Sequence, residues 1–193
     1  MVRVRQPGLL IGEWACLGIL AQKPAHGFAV ARRLEATGDI GRVWLLSRPL
    51  TYRALDNLLA SGLIEALGEE PGIAGGSRTI HAPTARGHEA LKRWLAEPVG
   101  HLRDVRSELL LKVVLCDIAG IDMSPLLAAQ RAAFAPVARR LGAEARRAPG
   151  DPVIQWRSES SKAVLRFLDR LENHHRSAAK KGPTDGPSVA EEN

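Results

Sequence analysis

Five side chains with hydrogen-bonding ends crowd into one short stretch of this 193-residue chain, Ser47, Arg48, Thr51, Tyr52 and Arg53, and Arg78 stands further on. Guanidinium groups take phosphate or the guanine edge in two-pronged fashion, and small hydroxyls meet phosphates or base edges. Tyr52 offers a hydroxyl on a stiff stem, and Thr51 offers a base edge or a thymine methyl a partner. That is the chemistry of reading a nucleic acid. Bland readings stand beside it: Arg53 as a solvated arginine, Tyr52 as a ring packed on a neighbouring hairpin, Ser47 as a helix cap in any case.

Bond-making chemistry finds no comparable support. The six histidines do not pair with carboxylates or cysteines at metal-ligand spacing. The run Gly72-Ile73-Ala74-Gly75-Gly76-Ser77 lacks a lysine and a following helix, so it reads as a hairpin turn and not as a phosphate cradle. No serine or cysteine sits in a nucleophile elbow. Cys16 and Cys116 lie within apolar helical patterns and read as buried, reduced thiols. The expectation is no enzyme, no metal and no cofactor. The start lacks a signal-peptide pattern, and no segment approaches the roughly 20 apolar residues of a membrane span. A cytoplasmic protein away from membranes is expected.

The elements that must hold those side chains follow from pattern. Residues 47–62 form a helix with Leu50, Ala54, Leu58 and Leu55 on an apolar ridge, proline at its start and glycine at its end. Helices precede it at 9–21 and 26–36, the first broken by Lys23-Pro24. Residues 63–70 and 77–83 read as strands of a hairpin with Arg78 near its tip, followed by a helix from Thr84 to Glu97. Helix, helix, helix, hairpin, helix is the order of a winged helix-turn-helix, whose third helix enters the major groove. Residues 1–8 read as a basic arm.

The second half changes character. Residues 104–119 are a strongly apolar helix with Asp104 as cap. Ser124-Pro125 and Asp151-Pro152 open two long helices, with a kink expected at Pro136. Such a hairpin of Leu, Val and Ala needs a partner, most simply a second copy. Residues 177–193 read as a disordered tail. The net charge of +6 divides evenly. Residues 1–98 hold 12 Lys/Arg and 9 Asp/Glu, and residues 99–193 hold 15 and 12, so local placement must carry the argument.

With these elements placed, the chain resembles the PadR family of bacterial transcriptional regulators over about residues 9–175. The stretches that carry the likeness are Glu13-Trp14-Ala15-Cys16-Leu17-Gly18-Ile19-Leu20, Pro24-Ala25-His26-Gly27-Phe28, and Ser47 to Leu55 with Gly62-Leu63-Ile64-Glu65. Arg103 to Lys112 is similar to the start of the C-terminal region in longer members. The resemblance implies a homodimer that binds operator DNA and represses nearby genes, often released by a small aromatic or cationic effector. It also implies a departure, because the wing here has only Arg78 where the family often carries several basic residues.

The reading is therefore a mainly α protein: an N-terminal winged helix-turn-helix at 9–98, a C-terminal α-helical dimerisation domain at 99–176, and the tail. DNA binding is expected at Ser47, Arg48, Thr51, Tyr52, Arg53 and Arg78. Trp94 and Trp156 are the aromatics considered for an effector, with core packing as the alternative. A rival is a dimeric small-molecule sensor or partner-binding module with weak or no DNA binding. A regulator of the MarR type is a third, but there dimer helices come from both chain ends.

Overall fold

The computed structural model describes residues 8–71 and 77–181. The basic arm through Pro7, the turn at 72–76 and the tail from residue 182 lie outside them. The chain divides into two compact units, one through Leu126 and one from Leu127.

The first unit opens with α1 (Ile11–Gln22), apolar on every side and buried from Gly12 to Leu20. Its amino end is closed by Glu13, whose carboxylate accepts the Leu10 N–H at 2.8 Å and the Asn57 amide at 2.7 Å. A charge so buried is tolerable because both oxygens are bonded, and it ties the start of α1 to the third helix. A two-residue strand, β1 (Ala25–His26), leads into α2 (Gly27–Leu34). The His26 side chain caps that helix, its Nδ1 accepting from the Ala29 N–H at 3.1 Å.

Helix α3 (Arg48–Ala60) begins at Ser47, as the serine–proline signal requires. It ends in a Schellman motif: the Gly62 N–H bonds the Leu59 carbonyl and the Leu63 N–H the Leu58 carbonyl. Gly62 adopts φ +64°, which a side chain would resist. The chain then runs into β2 (Ile64–Pro71) and β3 (Ser77–Pro83), an antiparallel wing with a bulge between Ala66 and Gly68. β1 adds to the other edge of β3, giving the order β1-β3-β2. A two-residue strand has no alternation to betray it in the sequence; its partner makes it.

Helix α4 (Ala85–Ala96) is capped by Thr84, whose hydroxyl accepts the Gly87 N–H. A 3₁₀ turn (Leu102–Asp104) and a π turn (Val105–Leu109) then precede α5 (Leu110–Ala119). Asp104 makes no side-chain cap there, contrary to the expectation from its position. The boundary expected near residue 98 falls at 126/127 in the observed division, and the packing of α5 shows why. Leu115 lies so close over Gly18 that a Cβ at Gly18 would meet it at 2.5 Å. Lys112, fully buried, gives its ammonium to the Glu97 carbonyl at 2.7 Å and to Glu108 at 2.9 Å. Burial holds its pKa below the usual lysine value, opposed by the Glu108 carboxylate. These contacts bind α5 into the same unit as α1 and α4.

Helices α6 (Ser124–Arg147) and α7 (Pro152–Lys181) follow. α6 continues through Pro136 as helix. α7 extends through Lys181, five residues into the segment expected as tail. Asp151 caps it, accepting from the Val153 and Ile154 N–H groups. Within the second unit Arg131 pairs with Asp169 across the two helices, and Gln155 donates to the Ala145 and Ala148 carbonyls at the end of α6. Val153 and Trp156 stand exposed on the first turns of α7.

Candidate nucleic-acid interface

The buried stripe of α3 is Thr51, Ala54, Leu55 and Leu58. Leu50, expected on the apolar ridge, is half exposed. Ala54, Leu55 and Leu58 are buried as expected, and only Leu50 gives up its place on the stripe to Thr51, a turn of the buried face of roughly 25°. Thr51 takes the inward slot, and its hydroxyl donates to the Ser47 carbonyl at 3.0 Å. That corrects its expected contact with a base edge: the group is buried and already engaged.

The opposite side of α3 presents Pro49, Tyr52, Arg53, Asp56 and Ala60, all exposed. Arg53 makes no hydrogen bond or ion pair among the described residues, so its five donors are open to a ligand. Ser47 is exposed at the helix start; its backbone occupies the cap position, yet its side chain makes no cap hydrogen bond. The hydroxyl remains available beside free helix N–H groups, where an anion is favoured.

Tyr52 lies against the start of α2. A Cβ on Gly27 would meet its ring at 2.6 Å, so the absence of a side chain there lets α3 approach. Around that contact lies a recess of about 230 Å³ lined by His26, Phe28, Tyr52, Arg78, Thr79 and His81. His26 uses Nδ1 as the acceptor of its cap bond, which leaves its Nε2–H as a donor. His81 has a buried Nδ1 with no partner among the described residues, and burial lowers its pKa, opposed by the Asp56 charge.

Arg48 and Arg78 come from different elements and meet at one ring. The Arg48 guanidinium lies 4.9 Å and the Arg78 guanidinium 5.6 Å from the centroid of Phe28. Arg48 also bonds Glu35, Nε at 3.1 Å and Nη2 at 3.0 Å from one carboxylate oxygen. The other wing strand is acidic: Glu65, Glu69 and Glu70 of β2 are all exposed. Ser77 donates to Glu69. The wing therefore offers its cation on β3, against the start of α2. His26 and Phe28 belong to a stretch that carries the family likeness, but they, Glu35 and the glutamates of β2 were not expected from sequence as parts of this surface; only the notice of a sparsely basic wing pointed that way.

The two tryptophans considered for an effector fall in separate units. Trp94 is buried and stacked on Trp14, with ring centroids 4.8 Å apart and planes 6° from parallel. Its indole N–H donates to Glu108 at 3.0 Å, and the Lys112 ammonium lies 4.7 Å from its ring. The ring is a packing element here. Trp156 is 73% exposed. The first unit has an apolar groove of about 480 Å³ lined by Gly18, Leu91, Leu95, Leu115, Cys116 and Met123 among others. The thiols are poor nucleophiles, burial pushing Cys16 up to about 12 and Cys116 to about 11. No group of three metal-ligating side chains occurs among the described residues, nor a helix long and apolar enough to cross a membrane.

No protein-family model matches the chain, and no curated protein matches it. Among solved structures it is similar to Bacillus subtilis PadR in complex with operator DNA, at 17% identity and a TM-score of 0.45, over 84% of this chain and 97% of that one. It is similar also to Bacillus subtilis PadR alone, at 16% identity and a TM-score of 0.40, over 86% and 96%. A third likeness is to the Vibrio cholerae virulence activator AphA, at 18% identity and a TM-score of 0.39, over 86% and 99%.

Proposed function

We propose that this chain is a DNA-binding transcriptional regulator of the PadR type, acting as a homodimer that sets one winged helix into each half of an inverted-repeat operator. The observation that carries the reading is the exposed side of α3: Ser47, Tyr52 and Arg53 unobstructed, with Arg48 and the wing's Arg78 gathered beside them at Phe28. Arg53 reads a base or holds a phosphate, Ser47 and Tyr52 hold phosphates, and the two gathered arginines flank them. Repression, release by a small aromatic or cationic effector, and a cytoplasmic location are the finer parts of this reading. They rest on the motif likeness of the sequence.

Fluorescence anisotropy with duplexes from the region upstream of the gene tests it. A specific complex in the nanomolar range that Arg53→Ala weakens by about 1–3 kcal/mol is the expected result. Unchanged affinity on that substitution removes Arg53 from the interface.

A second reading has its own support. The exposed glutamates of β2 and the groove beside Leu115 suit a small-molecule sensor with weak DNA affinity. Under that reading duplexes bind only at low salt and without sequence preference, while apolar aromatic ligands raise the melting temperature.

A further inference from the structure

Arginine side chains at the surface lose much conformational freedom when they bind, and a device that holds them in advance strengthens the complex. Two of the proposed contacts, Arg48 on α3 and Arg78 on β3, are such long side chains. They leave the backbone at positions thirty residues apart, yet both guanidiniums lie within 5.6 Å of the centroid of one ring, Phe28. A guanidinium over an aromatic face is attracted by the ring quadrupole and keeps its edge donors free.

The ring is itself held. Phe28 sits on the first turn of α2, half buried, with the His26 ring 6.3 Å away and inclined by 26°. His26 is fixed by its cap bond to the Ala29 N–H. Gly27, between them, brings Tyr52 and α3 up against the same turn. The start of α2 thus meets both the reading helix and the wing, and Phe28 is where the cations of the two meet.

We propose that Phe28 is a positioning residue of the DNA surface, holding Arg48 and Arg78 as a pair so that recognition helix and wing engage the phosphate backbone together. The proposal rests on the DNA-binding reading above. Phe28 acts through the two arginines; the DNA contacts are theirs. Glu35 occupies the fork of Arg48 in the free protein, and a phosphate exchanges with it while the ring keeps the guanidinium in place.

Binding of a labelled duplex over a series of KCl concentrations tests this, for the unsubstituted protein, Phe28→Leu, Phe28→Tyr, Arg48→Ala, Arg78→Ala, the two arginine changes together, and Phe28→Leu combined with both. Each arginine change is expected to make the fall of log K with log salt shallower by about 0.9 per subunit, or about 1.8 for the dimer. Phe28→Leu is expected to weaken binding roughly five- to thirtyfold at fixed salt, and Phe28→Tyr, which keeps the ring, to restore it to within about twofold. On the doubly arginine-substituted background, Phe28→Leu should have no further effect. A Phe28→Leu protein that binds as the unsubstituted one does overturns the proposal. So does an effect of Phe28→Leu that persists without the arginines, which would make Phe28 a direct contact or a folding residue.

The stacking itself is read without DNA from the side-chain Nε–Hε signals of Arg48 and Arg78. Ring-current displacement of both in the unsubstituted protein is expected, and random-coil positions would overturn the proposal even if Phe28→Leu failed to fold. Absence of any duplex binding by the unsubstituted protein, with both signals displaced, would instead sink the DNA-binding reading and the proposal with it.

Discussion

At the scale of single residues, the surface is shaped by which polar groups are already engaged. Thr51 is out of reach because its hydroxyl serves the Ser47 carbonyl, and Arg53 is open because nothing on α3 or its neighbours takes it. Arg48 lies between these extremes, its fork on Glu35 in an exposed pair of the kind that contributes little to stability. Glu35→Gln should therefore leave the melting temperature nearly unchanged while tightening duplex binding severalfold at low salt, since it removes a negative charge and frees the fork. Weaker binding by that variant would show that Glu35 orients Arg48 for DNA. The sequence made the crowd of donors at 47–53 plain, because residue types and helical spacing are local facts. It could not show Glu35 beside Arg48, thirteen positions away, nor Phe28 beneath both arginines.

Between elements, two glycines mark close approaches with different consequences. At Gly87 an added Cβ would lie 2.0 Å from the Leu63 carbonyl oxygen, a backbone atom that cannot step aside. Gly87→Ala should cost about 1–3 kcal/mol of stability, visible in urea unfolding. At Gly27 the obstacle is the Tyr52 ring, the far part of a half-exposed side chain. Gly27→Ala should shift Tyr52, weakening duplex binding severalfold with a smaller loss of stability.

The wing holds a titrating group as well. His81 on β3 has its pKa lowered by burial, so the folded protein keeps it neutral where the unfolded chain would already be charged. Between its depressed folded value and its ordinary 6.5, the unfolded state binds the extra proton. Stability should thus fall as pH drops below about 6.5, and less steeply in His81→Gln; identical falls in melting temperature from pH 7.5 to about 5.5 would count against this. The hairpin was legible from its strands and glycine-rich turn. Its third strand and the bulge at Gly68 were not, because both exist only through pairing with β3.

For the whole molecule, the proposed dimer makes a prediction that belongs to neither unit alone. Trp156 and Val153 give α7 an apolar, exposed start of the kind a second copy covers. The full chain should sediment as a dimer, and Trp156→Asp should shift it toward monomer. If two winged helices bind one operator, the monomer should show about half the salt dependence of the dimer, because half the phosphates are neutralised. A dimer unaffected by Trp156→Asp would place the contact elsewhere on the C-terminal helices.

Periodicity, caps and breakers in the sequence determined the helices, the wing and their order, along with the donors clustered at the start of α3. These are set within a few turns of chain, where each residue's neighbours are known in advance. The tertiary structure decided that Thr51 and not Leu50 completes the buried stripe of α3, and it decided the docking of α5 on α1 and α4 through Lys112 and Leu115. It also decided the meeting of Arg48 and Arg78 at Phe28. Each of these depends on which of several apolar or charged surfaces meet across long stretches of chain, and close packing settles that only when all the elements are present together.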